Sequence, residues 1–343
     1  MLARCVLFSV CSKLSKRNFS DRIGVIGVPF HRGQENVGVA EAPRVLREAG
    51  LIKELIKIGN NVKDFGDVTY TSSGVRHDVP DSIRWLPDLA ACAKNLSDRV
   101  QEILADQRKV LTIGGDHSIA LGSVDGHVRH KEGKVCLLWV DAHADINTAD
   151  TTDTGNMHGM GVSLLASELA DYWPYLPGLD WQVPILSLKS VAYIGLRSVD
   201  AYERLIIEQH GVTAFGMEDI EKYGIHEVTR IALERINPDG DRSLHVSFDI
   251  DSLDALEAPS TGTPVRGGLT LREALHVMEV AHRSDTLTAV DIVEVNPKIG
   301  DAPQVRQTVE AAVHVLKAAF GHSRSGSVPN HVRNLPGFYA PIT

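Results

Sequence analysis

The chain has 343 residues, 43% hydrophobic and 23% charged, which excludes a disordered or fibrous protein and leaves room for one large α/β domain or two smaller ones. Its formal charge is −9, but residues 1–20 carry Arg4, Lys13, Lys16 and Arg17 with no acid, so the remainder stands at −13. An acidic body argues against nucleic acid or an anionic membrane as partner and suits a small cationic substrate.

The leader, MLARCVLFSVCSKLSKRNFS, is basic, serine-containing and acid-free, the composition of a mitochondrial transit peptide; the alternative is a cytoplasmic protein with a disordered tail. Arg17-Asn18-Phe19-Ser20 fits an Arg-x-Phe-Ser processing pattern, and the apolar stretch from Cys5 to Val10 is too short to span a bilayer. Cys5 and Cys11 lie in this leader while Cys92 and Cys136 stand alone, so no disulfide framework or CxxC zinc site is expected.

From Arg22 to Pro29 the chain reads as a buried strand, followed by a glycine-punctuated loop and a helix through Val45, Leu46, Leu51 and Leu55. Further strands are expected at residues 62–66, 109–114, 135–141, 191–196, 212–216, 244–250 and 287–293, eight in all. Helical spacing marks Leu89 to Leu104, with Pro87 at its start, then Glu218 to Ile236 and Val305 to Phe320. Strands such as VCLLWV and LTAVDIV are apolar without alternation, as when helices cover both faces of a sheet. The alternation predicts one doubly wound, mostly parallel sheet over residues 21–322, with a Gly-, Ser- and Pro-rich tail at 323–343.

Polar clusters fall at the carboxyl ends of these strands, where open α/β sheets bind ligands. They are Gly114-Gly115-Asp116-His117-Ser118, Asp141-Ala-His143-Ala-Asp145, Gly195 to Asp200, Asp249-Ile-Asp251-Ser-Leu-Asp254, and Asp291 to Pro297; all five should line one edge. Asp141, His143 and Asp145 would project to one side if their strand continued. A single DxD is ordinarily a cap or a solvated turn, and GGDH can be a plain strand-to-helix turn. Together, however, two His and four Asp supply enough ligands for two divalent ions, and carboxylate-rich, thiol-free ligation favours Mn²⁺ over Zn²⁺. Two cations sharing a water hold it as a nucleophile near neutral pH. Glu294 then becomes a partner for a planar guanidinium, and His158, outside the ligand set, a proton carrier.

The motifs GVPFHRGQENVGVAEAP, GGDHSIALGS, WVDAHADINT, TGNMHG, SFDIDSLD, TGTPVRGGLT and DIVEVNP resemble, in order and spacing, those of the arginases in the ureohydrolase family, over roughly residues 22–325. The resemblance implies a three-layer α/β/α sandwich around an eight-stranded sheet. It implies one Mn²⁺ on His117, Asp141, Asp145 and Asp249, and a second on Asp141, His143, Asp249 and Asp251. It implies hydrolysis of L-arginine to L-ornithine and urea by a metal-bridging hydroxide, with Asp145 orienting that hydroxide, Glu294 positioning the guanidinium and His158 passing a proton to the leaving amine. Asn147 and Thr154 stand where arginases contact the α-carboxylate, Asp200 where they hold the α-ammonium, with Glu203 and Thr263 nearby. Agmatinases typically lack the Asn-Thr and Gly-Asn-x-His pattern, so the loop argues for arginine. The chain departs from the family at Thr154, usually serine, at Ser198, often Asp, and in the charges of Asp150 and Asp153. A homotrimer is expected, with Arg324 matching a tail position that supports such contacts in some members; the competing reading is a metal-binding protein that has lost catalysis.

Overall fold

The computed structural model describes residues 21–71, 83 and 85–326. The leader at 1–20 and all but the first residues of the tail at 323–343 lie outside them.

All eight expected strands form: β1 (Arg22–Gly27), β2 (Asn61–Asp67), β3 (Lys109–Ile113), β4 (Val135–Val140), β5 (Val191–Leu196), β6 (Thr213–Gly216), β7 (Ser243–Asp249) and β8 (Leu287–Val293). They make a single sheet in the order β2-β1-β3-β8-β7-β4-β5-β6, and every pairing is parallel. Parallel pairing requires crossovers, which the helices supply: α1 (Ala42–Glu48), α2 (Leu51–Lys57), α3 (Leu86–Ala105), α4 (Ala120–His130), α5 (Gly161–Leu165), α6 (Ala201–His210), α7 (Met217–Ile236), α8 (Leu271–Arg283) and α9 (Ala302–Ala319).

The apolar strands sort their side chains between two cores. In β4, Val135, Leu137 and Trp139 join α3 to α6 on one face, while Cys136, Leu138 and Val140 join α1, α2, α7, α8 and α9 on the other. Each such burial contributes about 1.5–3 kcal/mol, and a strand covered on both sides has no position where a polar residue is cheap. This gives the three-layer α/β/α sandwich anticipated from the sequence.

Two helices depart from the sequence reading. The segment through Val45 and Leu55 is two helices, because Gly50 between them adopts φ 88°, a left-handed conformation that ends α1 and redirects the chain. α7 is kinked at Gly224. Among the described residues no helix is long and apolar enough to cross a membrane.

Candidate metal centre and substrate cavity

Because all strands run in parallel, the segments leaving β3, β8, β7, β4 and β5 emerge at one edge. His117 opens a short 3-10 turn after β3, with Asp116 capping it by accepting from the Ser118 amide at 3.0 Å and from the Ser118 hydroxyl. The backbone comes very close here. A Cβ on Gly115 would sit 1.7 Å from the Phe30 carbonyl oxygen, so only glycine fits where the Gly33 loop folds over Asp116, donating its amide at 2.8 Å.

Strand β4 ends at Val140, one residue before Asp141, and Asp145 has φ 50°. The expected same-side projection of Asp141, His143 and Asp145 from a continuing strand therefore does not occur; a turn brings the three together instead. Asp249 closes β7, and Asp251 follows in the 3-10 turn Ile250–Ser252. The fifth cluster divides: Glu294 reaches the edge, but Asp291 stays within β8, fully buried in the core beneath the site.

His117 Nδ1 lies 3.0 Å from Asp141 Oδ2 and 3.2 Å from both Asp145 Oδ2 and Asp249 Oδ2, yet it makes no hydrogen bond with any of them. Its other nitrogen, Nε2, is 2.9 Å from the Ser247 hydroxyl. His143 Nδ1 lies 3.2 Å from Asp251 Oδ2 and 3.4 Å from Asp141 Oδ1. Two groups, His117-Asp141-Asp145 and Asp141-His143-Asp251, each gather their ligand atoms within 4.8 Å, and Asp141 belongs to both. A buried imidazole nitrogen aimed without a hydrogen bond at three carboxylate oxygens fits a cation between them.

The electrostatics agree. Burial and then neighbouring carboxylates push Asp249 well above the usual carboxylate range, Asp145 upward, and Asp251 up to about 6. Burial would raise Asp141 too, but contacts with His117 and His143 hold it down. Burial would lower both imidazoles, but the surrounding carboxylates raise them, His143 to about 12. A cluster this crowded retains protons unless divalent cations replace them.

Glu294 is buried beside this centre in a positive-φ conformation at 62°. Its Oε1 accepts from the His117 amide at 2.9 Å and faces His158 Nδ1 at 3.2 Å, while Oε2 accepts from Gln34 at 3.0 Å. Burial lowers the His158 imidazole, but Glu294 overcomes this and lifts it to about 9. Asp116 is driven up to about 7, first by burial and then by Glu294. Gln34 and Asp116 carry no role in the sequence reading, although both lie in its quoted motifs; what exposes them is the bond each makes or the charge each feels across the fold.

A cavity of about 260 Å³ opens over the centre, with His143, Asp145, His158 and Asp249 in its wall. Asn147, Thr154, Asp200, Glu203 and Thr263 line it as well, as do Asp153 and Ser198. Asp150, expected to charge the same loop, is exposed and is not part of this wall. Asn147 donates to Asp200 Oδ2 at 2.9 Å, tying two of the expected substrate contacts together. Glu203 closes a capping box at the start of α6, accepting from the Asp200 amide at 2.9 Å and the Ile146 amide at 3.1 Å, and burial lifts its carboxyl to about 7. Thr263 donates to Asp251 Oδ2 at 3.0 Å, and Thr154 accepts from the Asn156 amide at 3.2 Å.

A parallel α/β sandwich that gathers imidazoles and carboxylates at its carboxyl edge, beneath a polar cavity, defines a protein of the metal-dependent α/β hydrolytic class. The arginase family model matches residues 21–321, and the chain belongs to the arginase family of hydrolases. It is 43% identical over 311 residues to arginase-1 of Sus scrofa, covering 90% of this chain and 95% of that protein. It is 41% identical over 327 residues to the mitochondrial arginase-2 of Homo sapiens, covering 95% of this chain and 91% of that one. The arginase structure from Bacillus caldovelox superimposes with a TM-score of 0.79 at 32% identity, over 89% of this chain and 99% of that chain.

Proposed function

We propose that the protein hydrolyses L-arginine to L-ornithine and urea with two Mn²⁺ ions, one held by His117, Asp141, Asp145 and Asp249 and the other by Asp141, His143, Asp249 and Asp251. When bound, two such cations lower the pKa of a shared water and hold it ready as a nucleophile near neutral pH. Asp145, in the cavity wall, orients that attacking water. Glu294 supplies the negative charge that draws the guanidinium inward, and Asn147 and Thr154 meet the α-carboxylate while Asp200 meets the α-ammonium, with Glu203 nearby holding the Asp200 amide. Thr263 holds Asp251 in place at the cavity rim. Water adds to the guanidinium carbon, the bond from that carbon to the chain nitrogen breaks, and His158 gives its proton to the departing amine. Held protonated up to about pH 9 by Glu294, His158 carries that proton at neutral pH.

The observation that carries this reading is the unpaired His117 Nδ1 among three carboxylate oxygens, directly below a cavity whose wall also holds Asn147 and Asp200. The relatives named arginase support the choice of substrate. Urea release from L-arginine, agmatine and guanidinobutyrate with Mn²⁺ present tests it: release from arginine is expected, and release from none of the three would sink the enzyme reading.

We also propose mitochondrial import through residues 1–20 and assembly as a homotrimer. The leader's composition and the mitochondrial name of one relative support the first; imaging of the full chain fused to a fluorescent protein, against a chain lacking residues 1–20, tests it. Arg324 grips Glu279 of its own chain through two bonds of 2.9 Å; sedimentation of the wild type and of Arg324→Ala tests the trimer.

A further inference from the structure

The loop from β1 to α1 carries most of the motif GVPFHRGQENVGVAEAP and folds across the carboxyl edge of the sheet. It is pinned at three places. The Gly33 amide donates to Asp116 Oδ2 at 2.8 Å, and the Gly33 carbonyl accepts from the His158 amide at 3.1 Å. Further on, Gly38 lies so close to the segment leaving Glu294 that a Cβ there would come within 2.1 Å of Asn296 Oδ1. Between these anchors the Gln34 side chain is buried, 6% exposed, and has one orientation. The Asn36 amide donates to its Oε1 at 2.6 Å, so Nε2 is the end that meets Glu294.

Glu294 is nearly saturated by these neighbours. A carboxylate offers about four acceptor positions. On Oε1 two are used, by the His117 backbone amide at 2.9 Å and by His158 Nδ1 at 3.2 Å. On Oε2 one is used, by Gln34 at 3.0 Å, and no other donor among the described residues reaches that oxygen. The acceptor position left for a guanidinium is therefore on Oε2, beside the Gln34 amide. The terminal torsion of a glutamate is soft, so a carboxylate held at Oε1 alone could still swing its other oxygen. Donors on both oxygens fix its plane.

We propose that Gln34 is a positioning residue for guanidinium recognition: by holding Glu294 Oε2 it aims the one free acceptor of that carboxylate at the substrate. The inference rests on the arginine reading above. Gln34 is not part of the cavity wall, so it acts through Glu294 and not by touching the substrate itself.

The test is steady-state urea release from L-arginine by the full chain in saturating Mn²⁺, with product inhibition by L-ornithine measured alongside. Gln34→Met keeps the length and bulk of the side chain and removes the donor. Its kcat/KM for arginine is expected to fall by about 10–100-fold, as for a lost hydrogen bond to a charged group. The inhibition constant of ornithine, which has no guanidinium, should stay as in the wild type. Gln34→Glu adds a pH readout: as an acid it still accepts from Asn36 and donates to Oε2, but once ionised it sets one carboxylate against another. Its kcat/KM relative to the wild type should approach one at the acid end and fall steadily between pH 6 and 10. If Gln34→Met does not fold, the pH dependence of Gln34→Glu still decides. A wild type that releases no urea from arginine overturns the arginine reading and this inference with it. With an active wild type, a Gln34→Glu ratio that is flat with pH overturns the positioning role alone. So does a Gln34→Met variant with unchanged kcat/KM, or one whose loss ornithine binding shares in full.

Discussion

Replacing Glu294 by Gln keeps the shape of the side chain and removes the charge that holds His158 protonated. The rise of His158 from 6.5 to about 9 corresponds to roughly 3 kcal/mol in favour of the imidazolium. Coulomb's law puts unit charges at the observed 3.2 Å separation at roughly 5 kcal/mol for an effective dielectric near 20. Burial of the imidazole works against this attraction, and the remainder agrees with the shift. The His158 side chain is still 21% exposed, so water screens part of the effect and the figure is an upper value. The amide that Glu294→Gln introduces can donate to Nδ1, which favours neutral imidazole, so His158 should titrate at or below 6.5. At pH 8 the variant then holds about thirtyfold less imidazolium than the wild type.

The assay is kcat for urea release between pH 6 and 10. In the wild type, kcat climbs from acid toward alkali and falls above about 9; in Glu294→Gln the falling limb moves to about 6.5 or lower, separately from any rise in KM. The sign carries over to folding: a raised histidine pKa stabilises fully below 6.5 and loses that contribution as pH rises through about 9, so the stability difference between wild type and variant should shrink across this window. A falling limb that stays where it was in Glu294→Gln refutes the link between these two residues and proton delivery.

Dialysis against a chelator should abolish urea release, and Mn²⁺ restored at a hundred times its Kd should raise the unfolding free energy by about 2.7 kcal/mol for each site filled; unchanged denaturant curves would contradict cation binding to the native state. Affinity should weaken on acidification toward pH 6, where Asp251 competes for protons, as read by dialysis at two pH values. Asp153→Ala removes an exposed charge from the cavity wall; since such charges contribute no more than about 1 kcal/mol, KM for arginine should fall by up to about fivefold, and an unchanged KM dismisses the charge argument. Gly115→Ala drives a Cβ into the Phe30 backbone and should destabilise by about 3 kcal/mol or more, seen as a lowered Tm; a wild-type Tm would mean that this loop yields easily.

The sheet is legible in the sequence because a strand buried on both faces must be apolar along its whole length, and VCLLWV and LTAVDIV leave no other reading. Helix boundaries are less so: Val45 to Leu55 keeps helical spacing straight through Gly50, and only the backbone angle there shows two helices. The acidic and imidazole groups of the site announce themselves by residue type at strand ends, but their convergence depends on turns that periodicity cannot describe, as at Asp145 and Glu294, each with positive φ. Gln34 and Ser247 escape a sequence reading because nothing local marks them. Their meaning arises from partners far away in the chain, 260 residues in the case of Gln34 and Glu294. Asp291 groups with the edge residues by its neighbourhood in sequence, yet the continuing direction of its strand places it in the core.

The order of the strands in the sheet also dictates an order in time. His117 follows β3 and Asp141 follows β4, but β3 and β4 are not neighbours: β8 and β7, the last two strands in the chain, stand between them. With strands about 4.8 Å apart, β3 and β4 run about 14 Å from one another, and only the turns that follow them bring His117 Nδ1 within 3.0 Å of Asp141 Oδ2. A chain emerging from the ribosome thus carries His117, His143, Asp141 and Asp145 long before Asp249 and Asp251 can join them. The interval is filled only when the C-terminal strands slot into the middle of the sheet, a long-range and slow event. On the two-ion reading proposed above, the ligand set is complete only then, and capture of the cations would mark the completion of folding.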